Sequence, residues 1–160
     1  MTVAIPLTRG QVALVDEADV EIVNMYAWYA KPWESGFYAA ATVGSGRSKR
    51  HLRMHRLILP GSAQIDHKNR NGLDNRRENL RPATGTQNSA NQSKRLGGTS
   101  RFKGVSWDTH NRCWRASIAC NRHGINLGRF QSELEAAMAY NTAALRLFGE
   151  YARGNEVPNE

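Results

Sequence analysis

Residues Ile65 to Leu80 hold an adjacent Asp66 and His67, four asparagines and four basic side chains within sixteen positions. An Asp carboxylate is a hard oxygen donor suited to Mg²⁺. A neighbouring imidazole, with an ordinary pKa near ~6.5, accepts a proton from water at physiological pH. Hydrolysis of a phosphodiester needs an activated water, a cation to neutralise developing charge and a fixed geometry between them, and this pair supplies a ligand and a base. Adjacent residues on a strand point to opposite sides, so a bend or bulge is expected at the pair. Asn71, Asn75 and Asn91 have a simpler use as helix caps or Asx turns.

These residues must be carried by a modest chain. Its 160 residues make one ordinary domain or two small ones, and no apolar run approaches the ~18 residues of a membrane span. The start, MTVAIPLTRG, lacks the features of a secretory signal, so a cytoplasmic location is expected. Residues 46–130 carry 18 Lys and Arg against 4 Asp and Glu, whereas 1–45 and 131–160 each carry 2 against 5. A central segment so charged repels itself unless a polyanion shares the charge, and nucleic acid is the usual partner. The competing reading is a solvated basic surface. Interleaving with Trp107, Trp114, Asn and Gly, in place of helical ion pairs, argues against it.

The first 60 residues predict short strands at Val12–Val15, Trp28–Ala30, Phe37–Val43 and His51–Met54, with one or two helical turns at Asp19–Tyr26. Their apolar content is small for a free-standing core. Pro60-Gly61 and Asn71-Gly72 mark loops, and Asn75–Leu80 predicts a short helix that Pro82 limits. Residues 89–100, with Leu96 as their one large apolar side chain, read as a linker.

A second unit begins near Ser100. Phe102–Trp107, Cys113–Cys120 and Ile125–Phe130 alternate as strands, and Ser132-Glu-Leu-Glu135 predicts a capping box that opens a helix ending at Phe148 before Gly149. Ala137, Tyr140, Ala144 and Leu147 share one helix face. Trp114, Ala116 and Ile118 would turn to the helix, leaving Arg115, Ser117 and Ala119 on an open basic face suited to a DNA groove. His110, Cys113, Cys120 and His123 mimic a zinc set, but odd spacing along one strand sends the two cysteines to opposite faces.

Four blocks, Met54–Leu57, Ile65–Asn69, Asp74–Arg81 and Thr86–Asn91, fall in the order found in the HNH nucleases of phage and mobile-element homing endonucleases, which the segment from about 50 to 95 resembles. The resemblance implies a ββα-metal finger binding one Mg²⁺ or Mn²⁺. It implies Asp66 and Asn88 as metal ligands, His67 as general base and Asn79 as the residue that orients the His67 loop. His55 matches a family histidine outside the catalytic pair. Arg56, Arg76 and Arg77 are expected to approach DNA phosphates.

The second unit resembles the plant Apetala/ethylene-response-factor DNA-binding domain. The likeness rests on Phe102–Val105, Trp114–Ile118, Leu127–Phe130, Glu135–Asn141, Phe148–Ala152 and Asn155. It departs from the plant pattern at Ser106, Gly124 and Asn126, where base-reading side chains would stand. Contacts are therefore expected through Lys103, Arg112, Arg115, Arg122 and Arg129, mostly to phosphates, with Trp107 against a sugar or base.

The expected fold class is α+β: a β-rich region over 1–49, an HNH finger over 50–92, a linker over 93–100, and a three-stranded antiparallel sheet packed on one helix over 101–156. The expected function is metal-dependent DNA endonuclease, nicking one strand per finger, as a monomer or homodimer on double-stranded DNA, with no membrane and no small-molecule cofactor. The alternatives are a catalytically inactive DNA-binding regulator and an RNA-binding protein.

Overall fold

The computed structural model describes residues 1–33, 36–94 and 97–158. It is a mixed α+β chain of small antiparallel sheets and a few helices, in two compact units, Met1–Thr84 and Gly85–Glu160. Among the described residues no helix is long and apolar enough to cross a membrane.

The first unit opens with β1 (Thr2–Pro6), which pairs with β2 (Val12–Asp16) as a hairpin. A helix α1 (Val20–Asn24) follows, then β3 (Trp28–Trp33), β4 (Gly36–Val43) and β5 (Arg50–Arg53), paired in that order. A one-turn α2 (Met54–Ile58) leads to β6 (Gln64–His67), which pairs with β7 (Leu80–Ala83). Alternation on β4 puts Ala39 and Ala41 into the core, where they meet Val15, Val23, Trp28, Met54 and Ile58. Ile65, Leu73 and Leu80 complete that core, so the early strands share one apolar cluster with the segment that carries Asp66 and His67.

Asn75–Leu80, expected as a helix, is a turn. The amide of Asn75 donates to Leu14 O at 2.8 Å, and the amide of Leu80 reaches Arg76 O and Arg77 O before the chain extends into β7. Strand pairing with His67 claims Leu80, so the helical bonding stops after this single turn.

In the second unit α3 (Gly85–Asn91) precedes β8 (Val105–Asp108), β9 (Cys113–Cys120), β10 (His123–Phe130) and α4 (Glu133–Phe148). The sheet order is β10-β9-β8, with a bulge between Asn126 and Gly128. At the start of α4 the Ser132 hydroxyl accepts from the Leu134 amide at 3.2 Å, and Gly149, at φ 52, ends the helix. Ala137, Tyr140 and Ala144 are buried as expected, but Phe148 fills the last core position and Leu147 is exposed. Ala116 and Ile118 turn inward to those residues.

Helix α3 was not legible beforehand, and its reason is tertiary. Ala90 joins the core of Ile118, Tyr140, Ala144 and Phe148, and the Lys103 ammonium donates to Ser89 O, Ala90 O and Gln92 O at 3.2, 2.6 and 2.8 Å. A cation on the last carbonyls stabilises a helix of poor formers. In the expected linker, Ser100 is buried, bonded to Glu133 at 2.7 Å and to the Phe102 amide, whereas Leu96 lies outside the described residues.

Candidate active site and basic sheet

Asp66 and His67 close strand β6, opposite Arg81 and Leu80. The register is regular through both residues, so the expected bend is absent. Asp66 meets Arg81, whose Nε and terminal nitrogen donate to Oδ2 at 2.9 and 2.8 Å, with both side chains buried. The His67 ring takes the other direction. It meets His55 edge-on with centroids 5.0 Å apart, and Tyr38 at 5.7 Å. Its Nε2 pairs with Asn75 Oδ1 at 3.4 Å.

Burial lowers the basicity of His67 below that of a free imidazole, while the Asn75 contact and the charges of Asp66 and Asp74 work in the other direction. His55 is pushed down to about 3 by burial, with His67, Arg53 and Arg56 adding repulsion. Both rings are therefore neutral at pH 7. Asn75 is fully buried, and its Nδ2 has no hydrogen-bond partner among the described residues.

The asparagines divide the work of shaping the loop between β6 and β7. Asn79 Oδ1 accepts from the Asn69 amide at 3.0 Å, its Nδ2 donates to Asp74 O at 2.7 Å, and its own carbonyl accepts from the Lys68 amide at 2.9 Å. Asn69 and Asn71 form successive Asx turns, accepting from the amides of Asn71 and Leu73. Gly72 lies so close to β4 that a Cβ there would sit 2.5 Å from Phe37 O and 2.6 Å from Tyr38 Cδ1. No side chain larger than hydrogen leaves the loop in place. Tyr38, His55, Asn75 and Gly72 are the members of this cluster that sequence reasoning missed or gave another use. The Asn71-Gly72 turn signal pointed at Gly72, the family resemblance at His55, and Asn75 was read as a cap or Asx-turn residue, whereas nothing pointed at Tyr38.

Asp66 offers an anionic oxygen that could hold a divalent cation, and Asn88 lies on α3. Among the described residues no three His, Cys, Asp or Glu side chains converge as a ligand set. One carboxylate with neutral oxygens fits a hard ion that takes its remaining ligands from water and phosphate.

Four of the arginines expected at DNA have internal partners. Arg76 grips Asp74 through two 2.8 Å bonds, Arg77 grips Asp19 at 2.9 and 2.6 Å, Arg56 donates to Ala63 O at 3.2 Å, and Arg129 pairs with Asp108 at 3.5 Å. Lys103 likewise serves α3 rather than an open surface. On the second sheet Arg115 and Arg129 are direct cross-strand partners and both are exposed. Arg112 lies in the β8–β9 turn and Arg122 in the β9–β10 turn, at φ 50 and 67. Trp107 pairs with Trp114, centroids 5.0 Å apart, and so takes the face of Ala116 instead of that of Arg115. Cys113 and Cys120 are the two ends of β9, about 23 Å apart at ~3.3 Å per residue, which rules out a shared zinc.

The family described as HNH endonuclease matches residues 54–90, the stretch from α2 through β6, β7 and α3. Over 157 residues the chain is 32% identical to an uncharacterized HNH endonuclease of Acanthamoeba polyphaga mimivirus, covering 93% of this chain and 77% of that relative. It is also 29% identical over 108 residues to Protein 3.8 of Escherichia phage T7, covering 66% of this chain and 88% of that protein. With the likeness to the viral relative running almost end to end, and the family match falling on the segment that holds Asp66, His67 and Asn79, the chain belongs to the HNH endonuclease family.

Proposed function

We propose that the chain is a metal-dependent DNA endonuclease of the homing type, cutting one strand per finger and acting in the cytoplasm of a host or phage-infected cell. His67 is the general base, Asp66 and Asn88 hold the cation, and Asn79 fixes the loop that follows His67. The observation that carries this reading is the state of His67. Its ring is neutral, is held by Asn75 at Nε2, and adjoins a buried carboxylate. A neutral imidazole anchored through one nitrogen can take a proton from water at the other.

The chemistry divides among a few groups. A bound Mg²⁺ or Mn²⁺ would neutralise charge on the phosphate and the leaving oxygen. The Asp66 carboxylate supplies the anionic ligand, with Arg81 beside it as a fixed positive charge. His67 receives the proton of the attacking water. Asn79, through its bonds to Asn69 and Asp74, keeps the backbone after His67 from shifting.

The second unit, read as an Apetala-type sheet, grips duplex DNA. Arg115 and Arg129 are exposed cross-strand partners, and although Asp108 lies 3.5 Å from Arg129, a phosphate would meet both guanidinium groups at once. Arg112 and Arg122, in the turns at either end of β9, would extend the phosphate track. Two copies would be needed to break both strands.

Conversion of supercoiled plasmid to open-circle and linear forms, with Mg²⁺, Mn²⁺ or EDTA, tests the reading beside His67→Ala. Metal-dependent nicking that His67→Ala abolishes, with DNA binding retained, is the expected result. Unchanged cleavage by His67→Ala would sink the mechanism. Binding without any cleavage of plasmid or of native-locus DNA would favour the inactive regulator.

A further inference from the structure

The β3–β4–β5 sheet has two faces. Trp28, Ala39 and Ala41 enter the core, and register sends Tyr29, Lys31, Trp33, Tyr38, His51 and Arg53 to the other side. The side chains on that side are already organised. The Arg53 guanidinium lies over both the Trp33 ring, at 5.5 Å, and the Tyr38 ring, at 5.4 Å. The Tyr29 hydroxyl is bonded to His51 Nδ1 at 3.0 Å. Trp33 is 50% exposed, and among the described residues this side of the sheet carries no carboxylate.

The face also leads somewhere. Tyr38 lies edge-on to His55 at 5.8 Å and tilted against His67 at 5.7 Å, so the face, with Trp33 exposed and Lys31 and Arg53 half-buried, is continuous with the ring read as the general base. A surface of flat rings with interspersed cations, and no carboxylate among its described residues, matches the sugar–phosphate backbone of nucleic acid: rings pack on sugars and bases, and cations meet phosphates.

We propose that this face is a DNA-contact surface in its own right, separate from the second unit's sheet, and that it seats the duplex backbone beside the cleavage site through Lys31, Arg53 and Trp33. The assignment rests on the nuclease reading for the identity of its partner. It does not require cleavage, and it can be measured without metal.

The test is fluorescence anisotropy of a labelled duplex with the full chain in EDTA, over a range of salt, comparing the parent with Lys31→Ala/Trp33→Ala. The expected result is an affinity loss of about tenfold and a salt dependence shallower by ~0.9 in log–log slope, the signature of one lost phosphate contact. Thermal melts of both proteins check that folding is preserved, and Lys31→Gln alone, which keeps the stem, should reproduce the change in slope. Equal affinity and slope in variant and parent would overturn the surface while leaving the nuclease reading intact. Absence of duplex binding by the parent would sink both. Stronger competition by single-stranded RNA than by duplex would overturn the choice of DNA.

Discussion

The Arg81 guanidinium directs two donors at one oxygen of Asp66, at 2.9 and 2.8 Å, across the β6–β7 pair. Both side chains are buried, so neither charge is stable there without a partner. Arg81→Leu should therefore destabilise the metal-free protein by about 3–5 kcal/mol, through the carboxylate left behind. Urea denaturation in EDTA measures this, and Mg²⁺ should restore part of the loss where Asp66 is a ligand. A loss below about 1 kcal/mol would show that Asp66 finds water or another partner once Arg81 is gone.

His55 gives the fold a pH dependence of definite sign. Its folded pKa is pushed down to about 3, chiefly by burial and then by His67, Arg53 and Arg56. Between about 6.5 and 3 the unfolded chain binds a proton that the folded chain refuses, so stability falls as pH drops through that window. The slope for one such group is at most ~1.4 kcal/mol per pH unit. The urea midpoint measured at pH 7 and pH 5 should fall further for the parent than for His55→Gln. The depressed pKa values of His67 and Asp74 act in the same direction and remain in the variant, so the difference between the two proteins isolates His55. Parallel pH dependences would mean that His55 titrates like a solvated imidazole.

Arg122 sets stability against binding. Asn121 and Arg122 occupy the β9–β10 turn at φ 50 and 67, a pattern that favours glycine at the second position. Arg122→Gly should raise stability by about 1 kcal/mol, by relieving the left-handed arginine. The same change should weaken duplex binding severalfold and lower the salt slope by ~0.9, if the guanidinium meets a phosphate. Chemical denaturation and anisotropy read the two effects separately. Gained stability with unchanged binding would remove Arg122 from the DNA interface.

Local signals made much of the second unit legible. Period-2 alternation found β9 and most of β10, and Ser132 and Gly149 marked the ends of α4, because each of these features is chemistry between near neighbours. The replacement of Leu147 by Phe148 in the core is a shift of one position on a helix face. The 3.6-residue period alone does not resolve that shift against the twist of a sheet. Strand β1 went unseen in the first residues, although Val3 and Ile5 alternate there, because a five-residue edge carries little pattern.

At the site, Asp66, His67 and Asn79 announced themselves by type and order. The surroundings that give His67 its properties did not. Tyr38 lies 29 positions upstream with no motif that points to His67, and His55, 12 positions upstream, matches a family histidine without its block showing that the two rings meet. Lys103 is expected at DNA because it keeps the charge of the plant-domain pattern, and the sequence does not show that its ammonium also donates to the carbonyls of Ser89, Ala90 and Gln92.

The sequence by itself determined which groups are available: a carboxylate and an imidazole side by side, asparagines able to tie a loop, and a central segment with 18 Lys and Arg against 4 Asp and Glu. Tertiary structure decided what each group is doing. It committed Arg81 to Asp66, Arg76 to Asp74, Arg77 to Asp19 and Arg129 to Asp108, and buried His67 among rings that keep it neutral. The physical reason is that charge and hydrogen-bonding capacity are properties of a residue, whereas their partners and desolvation depend on which distant segments fold against it.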